Sequence, residues 1–242
     1  CSARLPIYVL SSSMFFGKYA MLACYSMYLL GIVIAILTAY IISKIDGSKA
    51  EHALLIELPE YKAPNARTIA VYVWEKVKDY LTKAGTVIFF ASIVMWLLLN
   101  VGPSGFVTDI TESFGAVIGK AIVPFFRPLG LGYWQIVVAL ISGIAAKEVV
   151  VSSCSVLFGI QNITTAHGMD SFVATLGAMG FGAANAYALM VFCLLYVPCT
   201  ATIATIRREV GSTKTTAGIV LFQLAVAWVV SFLAFHVAGL FL

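Results

Sequence analysis

AANAYALMVFCLLYVPCTATIATI, residues Ala183 to Ile206, is an apolar run long enough to cross a bilayer, and it is interrupted at Pro198. A proline inside a helix removes one backbone donor and frees carbonyls one turn earlier, here near Leu194 and Leu195. In a hydrocarbon environment those oxygens need a protein partner or a water-lined cavity. Cys199 and Thr200 follow at once, with Thr202 and Thr205 behind them. A thiolate, a hydroxyl and freed carbonyls form a donor set for a partly dehydrated divalent cation. Sulfur ligands favour borderline and soft ions over Mg2+ or Ca2+. Met190, in the preceding turns, can add a thioether. The plain alternative is a kinked helix carrying an inert, buried cysteine.

The rest of the chain places this run in a membrane. Of 242 residues, 61% are hydrophobic and 11% charged, with a mean hydropathy of +0.99. Water-facing domains carry about 25% charged residues, so this composition cannot cover a soluble surface. The apolar runs are continuous rather than alternating, which selects helices over a barrel. The fold class expected is all-α: a polytopic bundle with broken or re-entrant helices. Five cysteines, at 1, 24, 154, 193 and 199, form no disulfide or zinc spacing. The formal charge of +4 is localised and reports loop topology, and nucleic acid is not expected as a partner because no basic stripe or stacking platform is present. Cys1, with no initiator Met and an apolar helix directly behind it, fits a piece of a longer polypeptide better than a lipidated mature protein.

Residues 1–16 read as a short apolar segment. Tyr19–Ser43 is the first crossing, roughly 37 Å at helical rise. Lys44–Lys83 holds seven Lys/Arg and six Asp/Glu, with breakers at Leu58-Pro59 and Ala63-Pro64. Within it Ile69, Val73, Val77, Tyr80 and Leu81 share a helical face opposite Glu75, Lys78 and Thr82, as in an amphipathic helix lying at the membrane surface. Gly85–Val101 is a second, short span. Phe114–Phe126, closed by Arg127-Pro128, reaches only ~20 Å and predicts a re-entrant or half-membrane helix. Trp134–Phe158 reads as a third span, Ala183–Ile206 as a fourth, and Thr215–Leu242 as a fifth. Arg207, Arg208 and Lys214 put the last loop in the cytoplasm, and the cation-free stretch 159–182 then lies outside. Five simple spans would leave the basic segment 44–83 outside as well, so an extra crossing or a broken-helix pair is expected between 102 and 158.

Lys147-Glu148 is the sharpest anomaly. Each charge costs about 2.5–3.5 kcal/mol at mid-membrane and therefore faces protein or water. Glu148, Ser152 and Ser155 share one face, with Lys147, Val151 and Cys154 beside it, a polar stripe able to line a cavity. A purely structural ion pair or helix–helix bond is the alternative. Cys1-Ser-Ala-Arg-Leu-Pro6 repeats the second break with cysteine and proline reversed, and paired interruptions point to a midplane binding site. Arg4 beside Cys1 either lowers the thiol pKa or extends to the headgroups. His52, His167 and His236 are scattered, and Cys24 and Cys193 read as packing. Gly211-Ser-Thr-Lys-Thr-Thr lacks the spacing of a phosphate-binding loop, so no nucleotide is expected on this chain and it is not read as an enzyme.

Cys1-Ser-Ala-Arg-Leu-Pro-Ile-Tyr, Ala146-Lys-Glu-Val-Val-Val, Leu195-Tyr-Val-Pro-Cys-Thr-Ala-Thr-Ile-Ala, Leu58-Pro-Glu-Tyr-Lys-Ala-Pro and Ile206-Arg-Arg-Glu-Val-Gly together resemble the membrane portion of FeoB-type ferrous iron transporters. The resemblance implies a multi-pass bacterial inner-membrane protein with two gate regions related as an inverted pair. Residues 1–43 would be the tail of the first gate and its transmembrane helix, 44–83 the connecting interfacial segment, and 84–242 the second gate. It implies Fe2+ as the transported substrate and Cys1 and Cys199 as the gate cysteines; Met190 and Glu148, read from the residues themselves, are the further candidates to meet the ion. Pro6, Lys147, Ser152, Pro198 and Thr200 would mark the helix breaks and gate. It also implies a GTPase domain and the first half of gate one, from the same parent or a split subunit. Membrane lipid, small Feo accessory proteins and a second copy of the chain are the other expected partners. The rival readings are a transporter of nucleosides or another small solute, using Asn185, Tyr187, Gln223 and Trp228, and a membrane scaffold without transport.

Overall fold

The structure, a computed structural model, describes residues 4–46, 63–103, 105–107, 109–145, 147, 149–159 and 165–241. Cys1, Glu148, His52 and the Leu58-Pro59 breaker lie outside the described residues. Ten helices carry the described chain: α1 Leu5–Phe16, α2 Ala20–Asp46, α3 Ala66–Asn100, α4 Phe114–Phe126, α5 Trp134–Ala145, α6 Val149–Leu157, α7 Ala166–Ala178, α8 Ala183–Leu195, α9 Thr200–Val210 and α10 Thr213–Phe241. The one sheet among these residues is a two-stranded ribbon, Val101–Gly102 against Gly105–Phe106, at the end of α3. The all-α membrane bundle expected from composition is the fold observed.

Long apolar helices frame the bundle. By length and composition, the stretches Leu5–Lys44 and Thr213–Leu240 are able to cross a membrane. The first of these turns at Gly17, whose φ of 48° ends α1, so that α1 packs on both α2 and α8 and α2 supplies the crossing. Pro6 sits in the first turn of α1, where its missing N–H costs no hydrogen bond. It starts a helix rather than breaking one. α3 runs unbroken from Ala66 to Asn100, joining the amphipathic stretch and the short span read separately from sequence. Gly85 costs a helix only about 1 kcal/mol and does not stop it. Ile69, Val73, Val77 and Leu81 are all exposed, so no neighbour within the described chain covers that stripe.

The centre of the bundle is built from half-helices. α4 and α5 meet at 100°, and α7 and α8 at 107°; if each bent pair is one span, up to four crossings result. α4 has the bounds read from sequence: Ser113 caps it by accepting from the Ala116 amide (3.2 Å), and Pro124 weakens its last turn. The two corners dock on one another. Asn185 donates to the Gly130 carbonyl (2.7 Å) and the Tyr133 hydroxyl to the Met179 carbonyl (2.8 Å). Each corner carries a left-handed glycine, Gly130 (φ 71°) and Gly180 (φ 82°).

Two readings are corrected here. Trp134–Phe158 is not one crossing. In a straight helix Ser142 and Ser153 would stand roughly 16 Å apart, yet their hydroxyls lie at 2.8 Å, so α6 folds back along α5. The stretch 159–182 is not simply a loop, because α7 starts there on a Thr165 cap and buries Phe172 and Leu176 in the core. In both cases half-length helices replace a simple span-and-loop pattern. A straight lipid-facing helix would leave Lys147 in hydrocarbon, whereas the return of α6 along α5 accompanies its contact with a polar partner.

Candidate functional site

The break after α8 arises from Pro198. The Tyr196 amide still bonds the Phe192 carbonyl (2.8 Å), after which the backbone runs extended to Cys199, the cap of α9. In an unbroken helix residue 198 would donate to the carbonyl of Leu194; proline cannot. The Arg4 guanidinium takes that role, donating from Nη1 to Leu194 O. The sequence reading left Arg4 at the headgroups or beside Cys1, and the structure seats it on the freed oxygen instead.

Lys147 closes the same break from the other side. It occupies the tip of the α5–α6 fold, is 2% exposed, and donates from Nζ to the Val197 carbonyl at 2.6 Å. Its ammonium also stands 3.1 Å from the centre of the Tyr196 ring, well within cation–π range. The break therefore holds two side-chain cations: Arg4 on the last turn of α8, where a helix C-terminus favours positive charge, and Lys147 on the extended segment that follows. Close approach of the hairpin depends on Gly143. A Cβ there would overlap Val150 and the Tyr196 hydroxyl.

The remaining predicted residues are divided. Pro198, Cys199, Thr200 and Lys147 come together at the break. Cys199 is half-buried with Sγ 3.3 Å from the Thr202 hydroxyl, and Thr200 begins α9. Met190 is fully buried within the core on α8. Ser152 is exposed, and its neighbour Ser153 makes the buried contact. Cys1 and Glu148 lie outside the described residues. Among the described residues no group of three or more His, Cys, Asp or Glu is placed to hold a metal ion.

Arg4, Leu195, Tyr196, Pro198 and Gln223 also line a cleft of about 440 Å³ between α2 and α10. Four buried polar atoms have no hydrogen-bond partner among the described residues: Arg4 Nε, Tyr8 Oη, Tyr196 Oη and Gln223 Oε1. Of these atoms the three oxygens can accept from water, whereas Arg4 Nε can only donate. The residues considered for nucleoside stacking are engaged elsewhere. Asn185 bonds Gly130 and Gly182, Tyr187 bonds Ser26 (3.1 Å), and Trp228 bonds the Phe125 carbonyl (3.0 Å). Gly211 ends α9 in the left-handed region (φ 67°), so the Gly-Ser-Thr-Lys stretch is a helix C-cap and connector.

Tyr196 and Ser153 were not singled out from sequence, and Arg4 was given a different role there. The usable signal was positional: Pro198 orphans the oxygen four residues back, and a buried orphan oxygen demands a donor. Nothing local names Arg4 as that donor.

Half-helices meeting break to break define a polytopic membrane protein of the gate type. A family model described as "Gate: Nucleoside recognition" matches residues 81–213, and one described as "Ferrous iron transport protein B C terminus" matches residues 24–76. Similar proteins include an Fe(2+) transporter FeoB of Staphylococcus aureus (strain MSSA476), 38% identical over 241 residues, covering 100% of this chain and 35% of that protein. One of Methanocaldococcus jannaschii is 40% identical over 239 residues, covering 96% of this chain and 34% of the relative. A Porphyromonas gingivalis protein named as an Fe(2+) transport protein A/Fe(2+) transporter FeoB fusion is 32% identical over 286 residues, covering 100% and 33%. No solved structure matches the chain. The chain belongs to the FeoB family and corresponds to its C-terminal membrane portion. It spans about a third of the length of the curated relatives it matches.

Proposed function

We propose that this chain is the permease part of a ferrous iron uptake transporter, and that Fe2+ passes the unwound segment between α8 and α9. The observation that carries the reading is the convergence of two helix breaks: Lys147, at the tip of one, donates to Val197 O in the other at 2.6 Å. Discontinuous helices with exposed carbonyl ends are how transporters make an ion site inside a bilayer. A hydrated Fe2+ entering here would exchange part of its water for backbone carbonyls and the Cys199 sulfur, a donor set suited to a borderline ion. Cys1 and Glu148 would complete the path, the first as a second thiol and the second as a countercharge.

On this reading the energy for transport comes from a GTPase domain in the same parent or a separate subunit. A small accessory protein is a further partner, in line with the fusion named for the Porphyromonas gingivalis relative. The location is the cell membrane. A nucleoside cargo is less well supported, because Asn185, Tyr187 and Trp228 already bond the scaffold.

Replacing Cys199 with serine in the intact protein tests the proposal. Sulfur is lost while size is nearly kept, so Fe2+ uptake and iron-dependent growth should fall by about tenfold at equal expression, on the scale of one lost metal ligand contact. Uptake at the unsubstituted level would remove Cys199 from the path.

A further inference from the structure

Lys147 has a second property that the permease reading does not use. Its ammonium occupies the position a transported cation would seek: against a carbonyl of the extended segment between two half-helices, over the face of an aromatic ring. The seat is polar on one side and dry on the other. The Val197 oxygen accepts at 2.6 Å, the Tyr196 ring lies 3.1 Å from Nζ, and the side chain is 2% exposed. The hydroxyl of the same Tyr196 is buried and unpartnered among the described residues, so an acceptor belonging to this seat is left unsatisfied by the ammonium. Lys147 lies outside both α5 and α6, with its ammonium at the end of a flexible four-carbon stem. Withdrawal needs no helix to unfold.

We propose that Lys147 is a tethered cation that fills the ion position of the α8–α9 break in the resting state and must leave before a metal dication can pass. This rests on the permease reading and adds a device to it. The break is closed to leak by occupancy, and opening is an exchange of one cation for another rather than the creation of an empty, costly cage. Both states then keep the Val197 oxygen partnered, which avoids the penalty of a bare carbonyl in hydrocarbon. Like-charge repulsion makes the two occupancies exclusive.

The test uses the intact protein reconstituted in liposomes with Fe2+ kept reduced. The unsubstituted protein is first treated with a small amine-reactive reagent, and modification at Lys147 is followed by mass spectrometry. Lys147 should be protected at rest and become modified during Fe2+ uptake, whereas protection in both states overturns the proposal. Passive Fe2+ entry without GTP is then compared between the unsubstituted protein and Lys147→Gln, whose amide can still donate to Val197 O but carries no charge. Removing a charge-assisted contact from the closed state should raise that leak about tenfold. An unchanged leak in a monodisperse Lys147→Gln protein overturns the tethered cation while leaving Fe2+ transport intact. Absence of Fe2+ uptake by the unsubstituted protein instead removes the reading underneath it. The labelling arm needs no variant, so misfolding of Lys147→Gln does not leave the question open.

Discussion

Arg4 and Lys147 solve one problem twice. A proline in a bilayer leaves an oxygen without its donor, and a cationic side chain left in a bilayer costs about 2.5–3.5 kcal/mol; each defect answers the other when Arg4 meets Leu194 O and Lys147 meets Val197 O. The pairing demands close approach, and Gly143 provides it. A methyl group there would overlap Val150 and the Tyr196 hydroxyl, both held in the buried core. Gly143→Ala should therefore destabilise the protein by about 1–3 kcal/mol, the usual range for overpacking, read as a lowered unfolding midpoint in detergent. Adding Val150→Ala should recover part of the loss. Full stability of the single substitution would mean that the hairpin and the break do not press on one another as described.

Among elements, the α5–α6 fold is the one whose stability rests on a buried polar pair. Ser142 donates to the Ala139 carbonyl (2.7 Å), so the 2.8 Å contact with Ser153 has Ser153 as donor. The two alanine substitutions should then differ. Ser142→Ala strands the buried Ser153 hydroxyl and should cost about 1–3 kcal/mol, while Ser153→Ala loses one bond and should cost about 1 kcal/mol. The double substitution should cost less than their sum, and strict additivity in a double-mutant cycle would mean that the pair is not coupled. The sequence called for an extra crossing or a broken-helix pair somewhere between 102 and 158 but did not place this fold, and it did not read α7 as a helix. Ala145 to Val149 holds no proline or glycine, and the helix stops there because Lys147 finds a partner 50 positions away. α7 mixes His167, Asp170 and two glycines among its apolar residues, so composition alone read it as part of a loop. What was legible had local causes: the Pro198 break, the serine-capped α4, and the uninterrupted apolar runs of α2 and α10.

Across the whole molecule the central helices form two like units, each a half-helix, a bend near 100° at a left-handed glycine, a second half-helix, a break and a third. Gly130 and Gly180 are separated by the same 50 positions as Lys147 and Val197, so the bends and the breaks repeat at one offset. Such internal repetition is the usual scaffold for a midplane site. The third helix of each unit, α6 and α9, turns Ser152 and the pair Thr200 and Thr202 outward. Hydroxyls aimed out of a hydrophobic bundle are better matched to water or to another protein surface than to lipid tails. Since the relatives are about three times the length of this chain, a flank of this composition fits the far wall of a path completed by the rest of the parent. The prediction is that Ser152→Cys, in the intact protein, reacts with a membrane-impermeant thiol reagent at a rate that Fe2+ slows severalfold. Ser152 makes no buried contact here, so the substitution should leave folding unchanged, and the unsubstituted protein's own cysteines provide the background. Fast labelling indifferent to Fe2+ would place this flank at an open surface away from the cargo. A residue untouched by the reagent would place it against lipid or a dry protein contact, and the ion path would then have to run along α9 alone.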